Sequence, residues 1–349
     1  MTLMVRQSLR RLILGKAKQN PSCAILQLPV EMILLVFEHL PEYERIILAQ
    51  TCSSLRVIFI DNYKAREDDR HPISSDRLEV DQRSRFLFTM AYRRPNIFGC
   101  HLCTKTHRVN QRDTPGSSTV DYKGCRQPFL TGGDFHQGGY TLQYQQAQLA
   151  LKYTRLLEEE GNGGPVLRRK YKAYLDSLMQ PYSKVLASRK KWGMSNEIRG
   201  VVVVLPKIVD GRLLMQTVWV FKKSTKDVSP EAIGWLHVCN HLILFAPQQI
   251  RDQTRARMLQ GPRGALELAI HASFRTGERK FGSCSYCETD FMILASSERT
   301  VVRAWQHLGA EAPLVDNGSW KWMTIYSRES LGFHSQPGSI RELYNRDAV

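Results

Sequence analysis

Leu28-Pro29-Val30-Glu31-Met32-Ile33-Leu34-Leu35-Val36-Phe37-Glu38-His39-Leu40-Pro41-Glu42-Tyr43-Glu44-Arg45-Ile46-Ile47-Leu48 is the stretch on which the reading of this sequence turns. Leu28-Pro29 sets a proline in the first turn of a helix, where the missing N–H costs nothing. Ile33, Val36, Phe37 and Leu40 then recur at helical spacing, and Pro41 stops the run. Glu42 and Glu44 place acids in the first turn of a second helix, where they complement its dipole. Ile46, Ile47 and Leu48 give that helix apolar faces, and Thr51-Cys52-Ser53-Ser54 turns into a third helix over Leu55–Ile60. Three helices of this size, packed into roughly thirty-five residues, cannot bury all of their own apolar surface. The surplus must face a partner or the rest of the chain, which is the character of a docking element.

The same residues resemble the F-box. Leu28-Pro29-Val30-Glu31-Met32-Ile33, then Val36, Leu40, Leu48 and Cys52, follow its pattern of Leu-Pro-x-Glu, an aliphatic helix ending in leucine, and a later Val-Cys-x-x-aromatic. The chain departs from the pattern at Arg45, Thr51 and Leu55, where an aliphatic residue, valine and an aromatic residue are usual. The resemblance implies docking on an SKP-type adaptor, and through it on the cullin and RING subunits of a ubiquitin ligase. Residue by residue it implies adaptor contacts at Leu28, Pro29, Met32, Ile33, Val36 and Leu40, with Leu48 and Cys52 internal to the fold. The rest of the chain would then capture a protein substrate.

The 349 residues allow one large domain or two ordinary ones, and 42% hydrophobic with 23% charged residues is a globular composition. No apolar run approaches the ~18–20 residues of a membrane span. The basic leader over residues 1–24 (Arg6, Arg10, Arg11, Lys16, Lys18, no acid) has the composition of a mitochondrial presequence and also of a solvated tail. The F-box resemblance favours the tail, in cytoplasm or nucleus. A net charge of +16 raises the question of nucleic acid, but the basic excess is spread along the chain. The densest clusters are Arg168-Arg169-Lys170 with Lys172 and Arg189-Lys190-Lys191, interleaved with Tyr171, Tyr174 and Trp192. They read as a solvated helix face sooner than as a nucleic-acid surface.

Eight cysteines in a chain without a secretory signal argue against a disulfide framework. Two C-x-x-C pairs point to metal or to packing. Structural zinc takes four Cys or His ligands. Cys239 and His241 with Cys284 and Cys287 make one such set; Cys100 and Cys103 with Cys125 and either His107 or His136 make another. The alternative is reduced, buried cysteines acting as small apolar residues. No cofactor is required by this reading beyond such structural zinc. Fungal F-box proteins of unassigned substrate offer a second resemblance, in Cys100-His101-Leu102-Cys103, Cys284-Ser285-Tyr286-Cys287-Glu288-Thr289-Asp290-Phe291, and Leu308-Gly309 with Asp316 and Trp320.

The fold class expected is α+β. It comprises the basic leader (1–24), a three-helix F-box (25–60), a connector (61–95) with a break at His71-Pro72, and a mixed domain with antiparallel strands (96–349). Thr141 is expected to cap a helix to Glu160, ended by Gly161–Gly164. Pro165 opens another to Met179, with a resumption towards Lys191. Val201–Val204 and Leu213–Phe221 read as strands around an Asp210-Gly211 turn. Ser229-Pro230-Glu231 begins a short helix; Gln248–Leu259 and Pro262–Ala272 read as two more. Phe291–Leu294 and Val301–His307 read as strands, and Ser319–Tyr326 as a third. No P-loop, dinucleotide fingerprint, H-E-x-x-H or G-x-S-x-G occurs, and no leucine-rich, WD or kelch period. The function expected is a non-enzymatic substrate receptor. The alternative is a zinc-stapled binding module for nucleic acid or another acidic partner.

Overall fold

The computed structural model describes residues 24–64, 78–116, 125, 133–159, 165–186, 198–225, 227–234, 236–244, 264–324 and 335–346. The basic leader, the His71-Pro72 break, the Gly161–Gly164 stop, the Arg189–Trp192 cluster and the helix expected over Gln248–Leu259 lie outside them.

The N-terminal module has three helices, α1 (Val30–His39), α2 (Glu42–Thr51) and α3 (Ser53–Lys64). Pro29 and Pro41 sit at the N-caps of α1 and α2, one residue before the helices, where each carbonyl accepts the first intrahelical bonds. The module closes around Ile33, Phe37, Ala49, Leu55, Ile58 and Phe59, with the Phe37 and Phe59 rings 5.3 Å apart. A fourth helix, α4 (Val80–Tyr92), falls within the expected connector. It packs on α2 through Ile46, Leu78, Phe86 and Leu87.

Next come two small hairpins, β1 (Ile97–Gly99) with β2 (Thr106–Arg108), and β3 (Phe135–Gln137) with β4 (Tyr140–Leu142). Helices α5 (Tyr144–Glu158) and α6 (Pro165–Leu178) follow. The expected cap at Thr141 is corrected: Thr141 lies in β4, and Gln143 caps α5 in a reciprocal box with Gln146. Glutamine reaches the N3 amide here as the shorter capping side chains do.

The main sheet is antiparallel throughout. Its strands are β5 (Tyr182–Leu186), β6 (Ile198–Val209), β7 (Arg212–Lys223), β10 (Lys280–Ser283), β11 (Thr289–Ala295) and β12 (Arg299–Ala310), in the order β10-β11-β12-β7-β6-β5. Inserted between β7 and β10 are α7 (Pro230–Ile233), the hairpin β8 (Leu236–Cys239) with β9 (Leu242–Leu244), and α8 (Gly264–Thr276). Asp210 and Gly211 both take positive φ, 50° and 67°, so the expected turn joins β6 to β7 as the left-handed pair that matches strand twist. Ser229 caps α7 by accepting from the Ala232 amide.

Two helices close the chain, α9 (Gly318–Thr324) and α10 (Ser339–Asn345). Two expectations are overturned. Tyr182–Leu186 is an edge strand paired with β6, not a resumed helix. The strand expected over Ser319–Tyr326 is helical where described, because Trp320 and Met323, three apart, both turn into the core.

Candidate functional site

Three features carry chemistry. The first is the outer face of the N-terminal module. Leu28, Met32 and Leu35 are 41%, 49% and 47% exposed, a run of large apolar side chains along α1 and its entry. Pro29 is exposed, and Val36 and Leu40 are half-buried. Ile33 is 3% exposed and belongs to the interior of the module, so among the six residues expected to face an adaptor it is the one turned inward. Leu48 and Cys52 pack against that interior, and Cys52 Sγ accepts the Leu55 amide at 3.4 Å. The three departures from the pattern have structural reasons. Arg45 donates from Nε to the Leu40 carbonyl (2.6 Å) and from Nη2 to that of Glu38 (3.0 Å), which satisfies the C-terminus of α1. Thr51 Oγ1 donates to the Leu48 carbonyl, and Leu55 fills the core at 1% exposure.

The second feature is a cluster deep in the large domain. Cys239 ends β8, His241 sits in the β8–β9 turn, and Cys284 and Cys287 occupy the loop between β10 and β11. Their four ligand atoms all lie within 4.8 Å of one another. The loop has the form of a metal knuckle: the Tyr286 amide donates to Cys284 Sγ at 3.4 Å, and the Cys284 and Thr289 amides bond to the Thr289 and Cys287 carbonyls. The Tyr286 ring lies against that of His241, with centroids 5.3 Å apart. Both ring nitrogens of His241 are buried without a hydrogen bond of ordinary geometry, and the three sulfurs surround them. Burial pushes the Cys239 and Cys287 thiols up. Hydrogen bonds from Cys239 and Cys287 hold Cys284 well below the usual thiol range. Three sulfurs and an imidazole whose nitrogens lack a hydrogen bond of ordinary geometry are a donor set suited to a soft cation.

The third is the corresponding set at the turn of the β1–β2 hairpin. Cys103 Sγ is 2.9 Å from His107 Nε2, Cys125 Sγ is 3.3 Å from the same nitrogen, and Cys100 Sγ is 4.0 Å from Cys125 Sγ. The four ligand atoms again lie within 4.8 Å. His107 is therefore the histidine of this set; His136 instead bonds Thr141 Oγ1 at 3.0 Å. Burial raises Cys100 and pushes Cys125 up to about 12, so the reduced thiols hold their protons unless a cation displaces them.

The motif residues singled out in the sequence are structural ties. Asp290 is buried and accepts the amides of Gly338, Ile340 and Arg341, each at 2.9 Å, which caps α10. Asp316 receives a bidentate Arg85, with Nη2–Oδ1 at 2.7 Å, joining α4 to the large domain. Trp320 is fully buried and donates to the Gly133 carbonyl. Gly309, at φ 99°, has Asn317 where a Cβ would sit. Sequence reasoning missed Lys152. Its ammonium is 5% exposed and donates to the Ala91, Arg94 and Ile97 carbonyls, closing the C-terminus of α4. A lysine amid apolar helix positions, Leu149 to Tyr153, was the available signal.

Tyr171 and Tyr174 stack with Tyr153 in the core, and Tyr174 Oη donates to the Asp113 carbonyl. These aromatic side chains of α6 are thus withdrawn from any surface that would stack on bases. His307, Glu288 and Ser319 adjoin one another, but His307 Nδ1 and Ser319 Oγ share a single Glu288 oxygen. Ser319 Oγ also lies 3.5 Å from His307 Nδ1, and His307 Nε2 is buried without a partner.

The F-box-like family model matches residues 25–64, the segment that spans α1, α2 and α3. The chain carries an F-box-like domain. Its F-box coincides with the self-contained three-helix cluster, and the exposed leucines and methionine of α1 lie within the matched residues. No curated protein and no solved structure matches the chain. Among the described residues, no helix is long and apolar enough to cross a membrane.

Proposed function

We propose that this chain is the substrate-receptor subunit of an SCF-type cullin-RING ubiquitin ligase and is not itself an enzyme. The observation that carries the reading is the F-box-like domain at residues 25–64 with Leu28, Met32 and Leu35 exposed on one side of it. Apolar side chains of this size cost free energy in water, roughly 1.5–3 kcal/mol each when fully exposed compared with fully buried. An adaptor that covers them, together with Pro29, Val36 and Leu40, recovers part of that cost. Ile33 supports this face from beneath. The F-box is held to the large domain by α4, by the Arg85–Asp316 pair and by Lys152, so the domain past residue 78 presents a protein substrate in a fixed relation to the adaptor.

The test is co-purification with an SKP-type adaptor. Leu28→Asp with Met32→Asp lowers adaptor affinity at least tenfold while circular dichroism and melting stay as in the wild type. Full binding by that variant, or none by the wild type at micromolar concentration, removes the reading.

We further propose that both Cys₃His sets hold structural zinc. A tetrahedral ion with Zn–S of about 2.3 Å and Zn–N of about 2.0 Å sets ligand edges near 3.5–3.8 Å. The separations at the hairpin set, 2.9 to 4.0 Å, bracket that value. The buried imidazole of His241, without a hydrogen bond of ordinary geometry, gives the inner set the same fit. Elemental analysis of the purified chain then finds two zinc ions; Cys287→Ser and Cys103→Ser each retain one. A metal-free, folded chain would refute the assignment.

A further inference from the structure

A cavity of about 640 Å³ opens between β3, β5 and β8. That size falls within the range of roughly 300–1,000 Å³ typical of ligand sites. Its floor is apolar and buried: Trp219 and Phe221 from β7, Ile233 from α7, Leu236 from β8 and Met323 from α9. One wall carries Gln137, which is 2% exposed. Its Nε2 donates to the Val238 carbonyl at 2.8 Å, and Gln306 Nε2 donates to the same oxygen at 2.7 Å. Rotating the Gln137 amide would set oxygen against oxygen, so the orientation is fixed. Gln137 Oε1 is left buried with no hydrogen-bond partner. No solvent reaches that oxygen, so Gln137 braces the wall through its bond to Val238.

The mouth bears Asp134, His136, His237 and Lys184, one acid against one lysine. His237 is held by Asn240 at 3.1 Å. This is no basin for a polyanion. The charge balance and the apolar floor fit a neutral, apolar group. Lys184, Val185 and Leu186 of β5 line the same mouth, and β5 is the edge strand of the sheet among the described residues. An edge strand accepts an extended peptide by main-chain pairing, with alternate side chains entering pockets.

We infer that this cavity is the substrate site of the receptor: it takes a bulky apolar side chain of an extended peptide that lies along β5. The inference rests on the substrate-receptor reading for its choice of a peptide over another apolar ligand.

The experiment uses the full chain in complex with its adaptor and, as probes, capped tripeptides acetyl-Gly-X-Gly-amide with X as Phe, Leu, Ser or Asp. Binding is followed by saturation-transfer NMR at millimolar peptide. Phe and Leu peptides bind, and Ser and Asp peptides do so at least tenfold more weakly. His136→Trp, an exposed change at the mouth, abolishes the Phe signal while leaving adaptor binding intact. Equal binding of all four peptides, or Phe binding that His136→Trp leaves unchanged, overturns the assignment. So does adaptor binding without any peptide binding. Selective peptide binding by a chain that fails to bind the adaptor keeps the cavity and discards the receptor reading.

Discussion

At the residue scale, Asp290 decides whether the C-terminal helix belongs to the fold. Helix α10 begins at Ser339 after Gly338, and its N-cap position supplies no side-chain acceptor. The first amides of a helix need partners, and here a carboxylate reaches them from β11 across the sequence. Two of the three bonds go to Oδ2 and one to Oδ1, so both oxygens are used. Asp290→Ala orphans three amides at once. At about 1–2 kcal/mol for a lost cap, and more where the acceptor is charged, the loss comes to roughly 2–4 kcal/mol. Urea denaturation measures it, and limited proteolysis shows cleavage near residue 338 in the variant ahead of the wild type. Asp290→Asn keeps one acceptor oxygen and falls between them. If Asp290→Ala melts as the wild type does, α10 is held by its Ile340 and Leu343 contacts alone.

At the element scale, α4 is the joint between the F-box and the rest of the molecule, and Lys152 closes it. Burial lowers the pKa of this ammonium to about 8, opposed by Glu311. The cost of burying the charge competes with three charge-assisted bonds, to Ala91 at the end of α4, to Arg94 in the turn after it and to Ile97 of β1. Lys152→Met removes the charge and its three bonds, although the Ala91 and Arg94 carbonyls keep the Arg94 and Ile97 amides as donors; a lost bond to a charged donor is worth about 1.5–3 kcal/mol. The bonds win, and the variant is destabilised by roughly 1–3 kcal/mol net. The sign with pH follows from linkage. Below pH 8 both folded and unfolded states keep this proton, and stability does not move. Between about 8 and 10.5 the unfolded lysine binds more proton than the folded one, so stability rises with pH. The gap between wild type and Lys152→Met therefore widens above pH 8, which paired melts across pH 7–10 can follow. Elements governed by local pattern were legible in the sequence: the F-box helices from Pro29 and Pro41, and the β6–β7 hairpin from Asp210-Gly211. Elements set by distant contacts were not. Trp320 and Trp322 alternate as a strand would, yet Trp320 is placed by Tyr144, 5.2 Å away across the chain, and the segment coils to bury it. Tyr182–Leu186 becomes a strand because β6 offers an edge, which no local period announces. Both cysteine sets could be read from spacing; the choice of His107 over His136 required the register of two hairpins.

At the scale of the whole molecule, the two cysteine sets differ in what they hold together, and this orders their effects. The inner set joins the β8–β9 hairpin to the end of the main sheet, and Cys239, Cys284 and Cys287 belong to the largest core cluster beside Leu236, Leu242 and Met323. The outer set fastens the β1–β2 hairpin to Cys125 over a smaller cluster formed with α5 and α6, and its residues other than Cys100 are partly exposed. Metal binding free energy is folding free energy wherever the ligands assemble only in the folded chain. If the inner set holds the proposed ion, its loss leaves three sulfurs and an imidazole in a core with no room to solvate them. Losing the outer ion leaves groups that water can reach. Cys287→Ser is thus expected to lower the melting temperature by well over 10 °C or to prevent folding. Cys103→Ser lowers it by only a few degrees, at about 2–4 °C per kcal/mol for a chain of this size. A mild chelator removes the outer ion first, and elemental analysis falls from two ions to one before the main melt shifts. The F-box, closed around its own core, keeps its adaptor affinity through that first loss, because the outer set makes no part of the cluster built on Ile33 and Phe37. Simultaneous loss of both ions would show that the two sites are one cooperative unit, and the separation drawn between the two clusters would fall with it.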